Sequence, residues 1–570
     1  MSEIKSYPLD HHGITAGICD ELQIVDRINK RIGSPDIRRI IQPGLGVKAM
    51  IINSLGFTNR RLYLTPQFFA SKPVEALFGA GIIAEDLNEH TLGKALDEIY
   101  AYGPTKLFGE IAFEIAHEKG LFGKTAKLDS TSFSVQGEYL NQNDDSSEAP
   151  HASQSVEEVG KNTEENADED RSPIHVTHGY SKDKRPDLKQ VMLSMIVNGP
   201  ADLPLWIQGL DGNSSDKATF YETIKTVEKF RSQLAVGGPF TWIADSALYS
   251  KEAILSIKDH AWLTRVPETL NECQTEIDKS YNEEEWTQHA NGYSFREVTS
   301  QYGGIDQRWL VVRSEQAKAR EQHTLESTIS KEETKAKKDC WHLKNKIFAC
   351  TKDAKEHVNT MQKKYKYHLV ESQIIEKVKH KTKGRPKNGE EPEVVGYTIE
   401  ATVTLDSEKK EKMLNRKGQF VLATNELDVE TMPSVMILEN YKDQQSVERG
   451  FRFLKDPYFM ADTFFLKKPK RIEALMVIMC LSLLVYNFSQ HKLRQALKDQ
   501  GETLPNQKKK EIQTPTMRWI FQIMEGIGLV EIYDSDKNIS QKIVTNLDSV
   551  RTKIIRFCGH NVMKIYKVDS

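Results

Sequence analysis

The sequence predicts a multidomain α/β protein in which a mixed sheet is flanked by helices. A chain of 570 residues is too long for one ordinary core. Helical periodicity fills the first 120 residues, whereas strand and helix signals alternate from Lys127 to Val266. Residues 270–416 then interrupt this alternation with strands and helices of their own, which indicates an inserted α+β domain.

The N-terminal region, residues 1–122, is predicted to be a helical domain. Its predicted helices are Ile14–Ile32, Gly46–Leu55, Pro73–Phe78, Leu92–Tyr102 and Leu107–Lys119. Four arginines lie between these helices: Arg38, Arg39, Arg60 and Arg61. Such cations would suit binding to the end of a DNA duplex, and a plain helical scaffold fits them equally well.

Residues 123–269 form the first part of the predicted core. The predicted strands are Lys127–Val135, Leu188–Val197, Leu203–Gln208, Phe240–Ala244 and Ala261–Val266. The predicted helices are Lys217–Phe230, preceded by DGNSSD whose Ser and Asp residues can cap it, and Lys251–Lys258. Residues 140–174 are rich in Asp, Glu, Ser and Asn and nearly lack large apolar side chains, which predicts a disordered acidic surface insert.

The inserted domain is predicted to contain strands at Ser294–Val312 and Tyr397–Leu405 and a helical hairpin over Thr324–Leu369. Residues 417–500 are predicted to complete the core, beginning with a buried strand at Gln419–Thr424. The apolar stretch Ile472–Phe488 is at the short limit for a membrane span, so we expect a buried core helix and no membrane partner. The C-terminal region, residues 501–570, contains a helix at Thr516–Met524 and is assigned to dimerisation or DNA contact.

Charge and cysteine content narrow the class of partner and compartment. The net charge of −3 averages an acidic tract with basic ones, so a nucleic-acid partner is compatible with it. The six cysteines are scattered without a CxxC pair, which argues against structural zinc and against a disulfide framework. The first residues contain no apolar signal run, and we expect a protein of the reducing cytoplasm.

One helix is predicted over Leu438–Lys455. Its apolar stripe is formed by Val447, Phe451 and Leu454. Its polar residues on or beside a shared face are Tyr441, Gln444, Glu448, Lys455, Arg449 and Arg452. One carboxylate among cations and hydrogen-bonding groups suits a site that holds a metal ion and a phosphate, and an ordinary solvated helix is the alternative interpretation.

Two further acids occur on or at the end of predicted strands. Asp129 lies in LDSTS and Asp245 ends a strand in IADSALYS. Together with Glu448 they could hold two divalent cations for phosphodiester cleavage. Three carboxylates without His or Cys favour Mg²⁺ or Mn²⁺ over zinc. Each acid alone fits a turn or a cap equally well.

These motifs resemble a known family. The matching segments are LDSTSFSVQGEY, HGYSKDKRPDLKQ, DGNSSDKATF, IADSALYS, TRVPET and YKDQQSVERGFRFLKDPYF. They are similar to those of DDE transposases of bacterial insertion sequences, in the superfamily of "IS four" and its long subgroup "IS sixteen thirty-four". The resemblance covers most of residues 10–490 and implies a ribonuclease-H-like core, with an inserted domain between the second aspartate and the glutamate.

The resemblance implies roles for individual residues. Asp129, Asp245 and Glu448 match the catalytic, metal-binding triad. Tyr441 and Lys455 match the first and last positions of a Tyr-x2-Arg-x3-Glu-x6-Lys signature that contacts phosphate, whereas Gln444 stands at the position of its arginine. Arg449 or Arg452 could substitute as the phosphate contact.

The implied activity is cleavage of double-stranded DNA at the transposon ends, followed by attack of the freed 3′-OH on target DNA or on the opposite strand. The implied assembly is at least a dimer that bridges two ends, in bacterial cytoplasm at the nucleoid. A catalytically silent DNA-binding derivative and a metal-dependent nuclease that cuts without joining stay open as alternatives.

Three other segments have candidate roles. The cation-rich segment His178–Lys189 contains Lys182 and Arg185, which suit the phosphate backbone or a solvated hairpin. The basic link Lys377–Lys387 suits a minor-groove hook or a flexible basic loop. Gly123-Lys124-Thr125 lacks the upstream glycine and the preceding strand of a phosphate-binding loop, so we reject that interpretation.

Overall fold

The computed structural model describes residues 3–33, 39–56, 64–137, 139, 172–234, 237–279, 283–379, 393–457, 466–534 and 539–569. The chain forms two compact units. The first comprises Met1–Thr264, Tyr302–Ile305 and Glu439–Ser570, and the second comprises Arg265–Gln301 and Asp306–Leu438. Several predicted features fall outside the described residues: most of the acidic insert (140–171), three of the four arginines (Arg38, Arg60 and Arg61) and most of the basic link (380–387).

Helices dominate the start of the first unit, as predicted. The elements are β1 (Ile4–Pro8), α1 (His12–Glu21), α2 (Ile24–Ile32), α3 (Pro43–Ser54), α4 (Thr65–Phe69), α5 (Val74–Phe78), α6 (Glu89–Tyr102) and α7 (Pro104–Glu118). Two predictions are wrong here. The expected helix Ile14–Ile32 is two helices, because Gln23 adopts a left-handed conformation with φ of +51° between them. Residues 1–122 also contain the strand β1.

The next elements build a mixed sheet in the first unit. They are β2 (Thr125–Val135), β3 (Lys189–Asn198), β4 (Leu203–Leu210), α8 (Asp216–Leu234), β5 (Thr241–Ala244), α9 (Lys251–Ser256) and β6 (Trp262–Arg265). The strand order is β4-β3-β2-β5-β6. β3 is antiparallel to both of its neighbours, β4 and β2, whereas β5 is parallel to both β2 and β6. These elements agree with the predicted ones.

The second unit is an α+β structure. Its elements, the last of which ends in the first unit, are α10 (Asn271–Asp278), β7 (Thr287–His289), β8 (Tyr293–Tyr302), β9 (Ile305–Ser314), α11 (Glu315–Leu343), α12 (Thr351–Gln362), β10 (His368–Lys379), β11 (Glu393–Leu405), α13 (Ser407–Arg416), β12 (Gln419–Thr424) and α14 (Ser434–Asp443). The predicted strand Ser294–Val312 is the hairpin β8–β9, and the predicted helical hairpin is α11 and α12. A small core of its own includes Cys340, Phe348 and Ile399.

The chain returns to the first unit with α15 (Gln445–Leu454) and α16 (Pro469–Asp499), followed by β13 (Leu504–Pro505), β14 (Glu511–Ile512), α17 (Met517–Ile523), β15 (Gly528–Tyr533), β16 (Ile539–Thr545), α18 (Ser549–Cys558) and α19 (His560–Tyr566). β15 pairs with β1 and β16, so both ends of the chain contribute to one three-stranded sheet.

The long helix α16 meets the length and hydropathy of a membrane span, and 83% of its most apolar window is buried inside the fold. This burial confirms the predicted core helix. The predicted domain boundaries at 122, 269, 416 and 500 stay predictions.

Candidate active site

The two predicted aspartates lie at the same level of the sheet on neighbouring parallel strands. Lys127 of β2 pairs with Ile243 of β5. Asp129 and Asp245 each come two residues later, and adjacent strands lie about 4.8 Å apart. Because side chains alternate along a strand, equal offsets from a paired position direct both carboxylates to the same face. The register of β2 and β5 therefore brings the two acids together.

Each aspartate uses one of its oxygens in a local hydrogen bond. The Oδ1 atom of Asp129 accepts the backbone N–H of Ser130 at 2.7 Å, and Oδ1 of Asp245 accepts that of Ala247 at 2.9 Å. The backbone carbonyl of Asp245 accepts the hydroxyl of Thr264 at 2.7 Å, which anchors the end of β5 to β6. Within the described parts of the chain, the second oxygen of each carboxylate accepts no hydrogen bond. Both oxygens are available for a ligand.

Burial disfavours the charged form of both aspartates. It raises the pKa of Asp129 to about 7 from the usual 3.8, and the negative charges of Asp245 and Asp216 act in the same direction. Burial also raises the pKa of Asp245, again with Asp216 contributing. The Lys182 ammonium opposes the rise at both carboxyls. Two negative charges in a buried site are poorly solvated and repel each other. A cation that binds between them relieves both effects, so cation binding is favourable here.

The charges around this pair include a fourth acid that the sequence interpretation missed. Asp216, the first residue of α8, accepts hydrogen bonds from the Ser130 hydroxyl and, at 3.1 Å, from Lys182 Nζ. The sequence pattern predicts that the acids of DGNSSD cap the helix α8. A signal was present, because β4 runs parallel to β2 and β5, and a helix that follows β4 begins at the same edge of the sheet as Asp245.

The helix that carries Glu448 lies over the same face of the sheet. Gly450 of α15 approaches Met195 of β3, which pairs directly with Asp129. A Cβ atom at Gly450 would lie 2.9 Å from Met195 Cε, so the helix backbone sits close to the sheet. Val447 and Leu454 are fully buried and Phe451 is nearly so, which confirms the predicted apolar stripe.

An ion pair between a buried lysine and a half-exposed aspartate joins β2 to the segment that leads into α15. Lys127 Nζ contacts Asp443, and Asp202 lies 3.8 Å away. The Lys127 side chain is only 3% exposed. Lys127 and Asp129 are two residues apart on one strand and therefore share a face. This pair thus connects the strand of the first aspartate to the helix of the glutamate.

The predicted single helix Leu438–Lys455 is instead two helices, α14 and α15, with a break at Gln444. At this residue the backbone makes short-range bonds of the 3₁₀ type, from Gln444 N–H to Tyr441 O and from Val447 N–H to Gln444 O. Gln444 is 9% exposed, so it belongs to the buried side of the break and not to the polar face that was expected. Tyr441 is half-buried on α14.

The polar residues of α15 differ in their partners. Glu448 is exposed, and no described residue hydrogen-bonds or pairs with its carboxylate. Arg449 pairs with Asp202 at 3.1 Å. Arg452 is exposed and has no acidic partner in the described ranges. Lys455 donates to Asp183 at 2.7 Å and lies 5.5 Å from the centre of the Phe133 ring.

The two cations of the segment His178–Lys189 also differ. Lys182 reaches the aspartate pair, whereas Arg185 makes an exposed local pair with Asp187 at 2.7 Å. In the helical N-terminal part, Arg39 makes a two-fold hydrogen-bonded pair with Glu98 at 2.6 and 2.9 Å and is 11% exposed. Arg39 is therefore an internal partner of Glu98, which favours the scaffold interpretation for this arginine.

The donor set at the aspartate pair fits a hard divalent cation. Two carboxylates with free oxygens and no His or Cys are the ligands that Mg²⁺ and Mn²⁺ prefer. Among the residues that the structure describes, no three His, Cys, Asp or Glu side chains come close enough to hold one ion. The structure therefore places the two aspartates side by side, whereas Glu448 lies too far from them to share one ion with both.

Comparisons with known proteins agree with these features. A family model described as "Transposase DDE domain" matches residues 127–487, which is well over half of the chain. A second, "Domain of unknown function (DUF4277)", matches residues 4–113. No curated protein matches the sequence.

One similar solved structure is the cryo-EM structure of a piggyBac transposase synaptic complex with hairpin DNA. The sequence identity is 8% and the TM-score 0.37, over 89% of this chain and 79% of that one. A likeness at this level supports no inference about function.

Proposed function

Since the chain belongs to the Transposase DDE domain family, we propose that this DNA transposase cuts the ends of an insertion sequence and joins the freed 3′-OH to target DNA. The observation that carries the proposal is the aspartate pair. Asp129 and Asp245 stand level on adjacent parallel strands, each with one free carboxylate oxygen, and the helix of Glu448 packs over the same face. The finer assignment to the "IS four" superfamily and its subgroup "IS sixteen thirty-four" belongs to the same proposal, as does a ribonuclease-H-like core. Its support is the mixed arrangement of the five strands β4-β3-β2-β5-β6, with helices before and after them in the chain.

The roles of the side chains follow from their surroundings. Asp129 and Asp245 would hold the divalent cations, Mg²⁺ or Mn²⁺, with Glu448 as the third ligand once the DNA is bound. When two such ions are bound, they lower the pKa of the attacking water and neutralise charge on the phosphodiester. Arg452 would contact backbone phosphate, since it is exposed and has no acidic partner in the described ranges. Arg449 and Lys455 would do so by exchanging their present carboxylate partners for phosphate, whereas Lys182 would attract phosphate through its charge while it keeps its partner Asp216.

Tyr441, Gln444 and Arg185 complete the proposed set, with different contributions. Arg185 is exposed, and phosphate can compete with its local partner Asp187. Gln444 is largely buried, so we assign it to the geometry of the helix break and give the direct phosphate contact of the signature to Arg452. Two copies of the chain would bridge two transposon ends, in the bacterial cytoplasm at the nucleoid.

A cleavage assay tests the proposal. Purified protein is incubated with Mg²⁺ or Mn²⁺ and a linear DNA that carries the element's own ends, beside Asp129→Asn, Asp245→Asn and Glu448→Gln. Each variant is expected to lower the cleavage rate by at least about 10³-fold, because each removes several kcal/mol of transition-state stabilisation. Binding of the ends should persist in all three.

The matched control is Glu222→Gln, an exposed carboxylate on α8, which should cut like the wild type. Cleavage without joining would favour a nuclease. Binding of the ends without cleavage in either metal would favour the silent DNA-binding protein. Loss of end binding in all three site variants would overturn the assignment of the triad.

A further inference from the structure

The carboxylate of Asp216 is turned away from its own helix and toward β2. Its Oδ1 atom accepts the Ser130 hydroxyl, and its Oδ2 atom accepts Lys182 Nζ at 3.1 Å. The first turn of α8 is closed by Ser215 instead. The Ser215 carbonyl accepts hydrogen bonds from the N–H groups of Ala218 and Thr219 at 3.0 and 3.2 Å. Asp216 is 19% exposed. Both of its oxygens are thus committed to side chains beside the aspartate pair.

Lys182 is fixed by three acceptors at once. Its Nζ atom donates to the Ser130 carbonyl at 2.7 Å, to the Ser130 hydroxyl at 3.1 Å and to Asp216. The backbone N–H of Lys182 also donates to the Ser132 hydroxyl at 3.2 Å, which ties this segment to β2. Three acceptors satisfy all three N–H donors of an ammonium group. Lys182 therefore presents a fixed point charge and no spare donor.

The held charge lies beside both catalytic candidates, since Lys182 interacts electrostatically with Asp129 and with Asp245. A free lysine side chain carries about 2 kcal/mol of rotamer entropy, so without a partner it samples many positions. Ser130 supplies neutral acceptors only, whereas Asp216 supplies the single charged acceptor among the described residues. Hydrogen bonds between charged groups are the stronger ones.

We propose that Asp216 is a positioning residue that holds the Lys182 ammonium beside Asp129 and Asp245, where its charge meets the phosphodiester being cut. The catalytic part of this inference rests on the proposed function. The positioning part does not, because it concerns the DNA-free protein. The predicted consequence is that Asp216 acts on cleavage only through Lys182.

Lysine reactivity tests the positioning part without DNA or metal. Acylation of Lys182 by an amine-reactive ester is measured by mass spectrometry in the wild type and in Asp216→Asn, with the exposed Lys184 of the same segment as internal reference. Loss of a charged hydrogen bond should raise the labelling of Lys182 relative to Lys184 by at least about threefold. Glu222→Gln, an exposed acid on the same helix, should leave the ratio unchanged. Equal ratios in Asp216→Asn and the wild type would overturn the proposal.

A double-mutant cycle tests the catalytic part. Single-turnover cleavage of element ends is measured for Asp216→Asn, Lys182→Met and the double variant across a range of Mn²⁺ concentrations. Each single variant should lower the maximal rate by about tenfold, and the double variant should fall no further. The Mn²⁺ concentration for half-maximal rate should not rise above the wild-type value in these variants, since Asp216 binds no metal and the Lys182 charge opposes a second cation at the aspartates.

A raised Mn²⁺ requirement in Asp216→Asn, together with multiplicative effects in the double variant, would overturn the proposal and make Asp216 a metal ligand. If the wild type fails to cut, the proposed function fails, and the labelling ratio still decides whether Asp216 holds Lys182. Near-wild-type unfolding temperatures in all variants identify the effects as local.

Discussion

The strand-borne aspartates and the helix-borne glutamate are held by the fold in different ways. Asp129 and Asp245 are partly buried, and each is fixed by a backbone N–H group one or two residues ahead in the chain. Glu448 is exposed and has no partner in the described ranges. Its position depends on how α15 packs on the sheet, through Gly450 and through the Lys127–Asp443 pair. The aspartates are thus determined by strand register, and the glutamate by tertiary packing.

Among tests of this difference, the largest expected effect comes from moving α15 away from the sheet at Gly450. A Cβ there would lie 2.9 Å from Met195 Cε and 3.2 Å from Leu483 Cδ2, which are ends of flexible side chains. Gly450→Ala should therefore be tolerated, with cleavage within about threefold of wild type and a gain in helix propensity of ~1 kcal/mol. Gly450→Val should lower the cleavage rate by about 10²-fold, since misplacing a catalytic group by ~1 Å has that effect.

Gly109 of α7 supplies the matched control for this pair. A Cβ at Gly109 would lie 2.9 Å from Cζ3 of the Trp206 ring, so the crowding is similar. Gly109→Val should lower the unfolding temperature and leave cleavage unchanged at temperatures where the variant is folded. Equal losses of cleavage in Gly450→Val and Gly109→Val would mean that the helix position is not what matters.

The next effect is on the pH dependence of the unfolding free energy. It distinguishes the buried Asp129 from the exposed Glu448. Burial raises the pKa of Asp129 from 3.8 to about 7. Between these values the folded, metal-free protein keeps a proton that the unfolded chain releases. The contribution of this proton to the unfolding free energy is therefore complete below pH 4 and is lost as the pH rises to 7. In EDTA, the unfolding free energy of the wild type relative to Asp129→Asn should fall by about 1–4 kcal/mol over this range.

Glu448→Gln is the matched control for that titration, because its carboxylate is exposed. Denaturant titrations of this variant should parallel those of the wild type at every pH from 4 to 7. A difference between wild type and Asp129→Asn that does not change with pH would contradict the burial of Asp129.

The smallest effect tests the connection between β2 and α15. Asp443→Asn leaves the Lys127 ammonium, which is 3% exposed, with only Asp202 at 3.8 Å. This change should lower the unfolding free energy by about 1–2 kcal/mol. Lys127→Met removes the buried charge itself and should be nearly neutral for stability. Both variants should slow cleavage by several-fold if the pair positions α15, measured beside Glu222→Gln. Wild-type cleavage rates in Lys127→Met would show that the pair only stabilises the fold.

Local patterns predicted most of the elements. Strand signals marked β2, β3 and β4, an apolar stripe marked α15, and an apolar run marked α16. The failures lie where the backbone hydrogen bonds depart from the α-helical pattern. Gln23 adopts a positive φ that splits the first helix, and at Gln444 the bonds tighten to the 3₁₀ type although the dihedral angles stay right-handed helical. Strand β1 was missed because its partner β15 is more than 500 residues away, so no local pattern marks it.

The sequence by itself determined the candidate side chains, because strand ends, a helix face and the motifs that resemble those of a known family are local properties of the chain. Asp129, Asp245 and Glu448 were proposed in this way. Only the tertiary structure decided their relations. The register of β2 and β5 places Asp129 level with Asp245. The packing of α15 on the sheet determines where Glu448 lies. Arg449 and Lys455 form ion pairs with acids of the same chain. The contact of Asp216 with Lys182 is visible only in the tertiary structure, because the two residues are far apart in sequence and close in space.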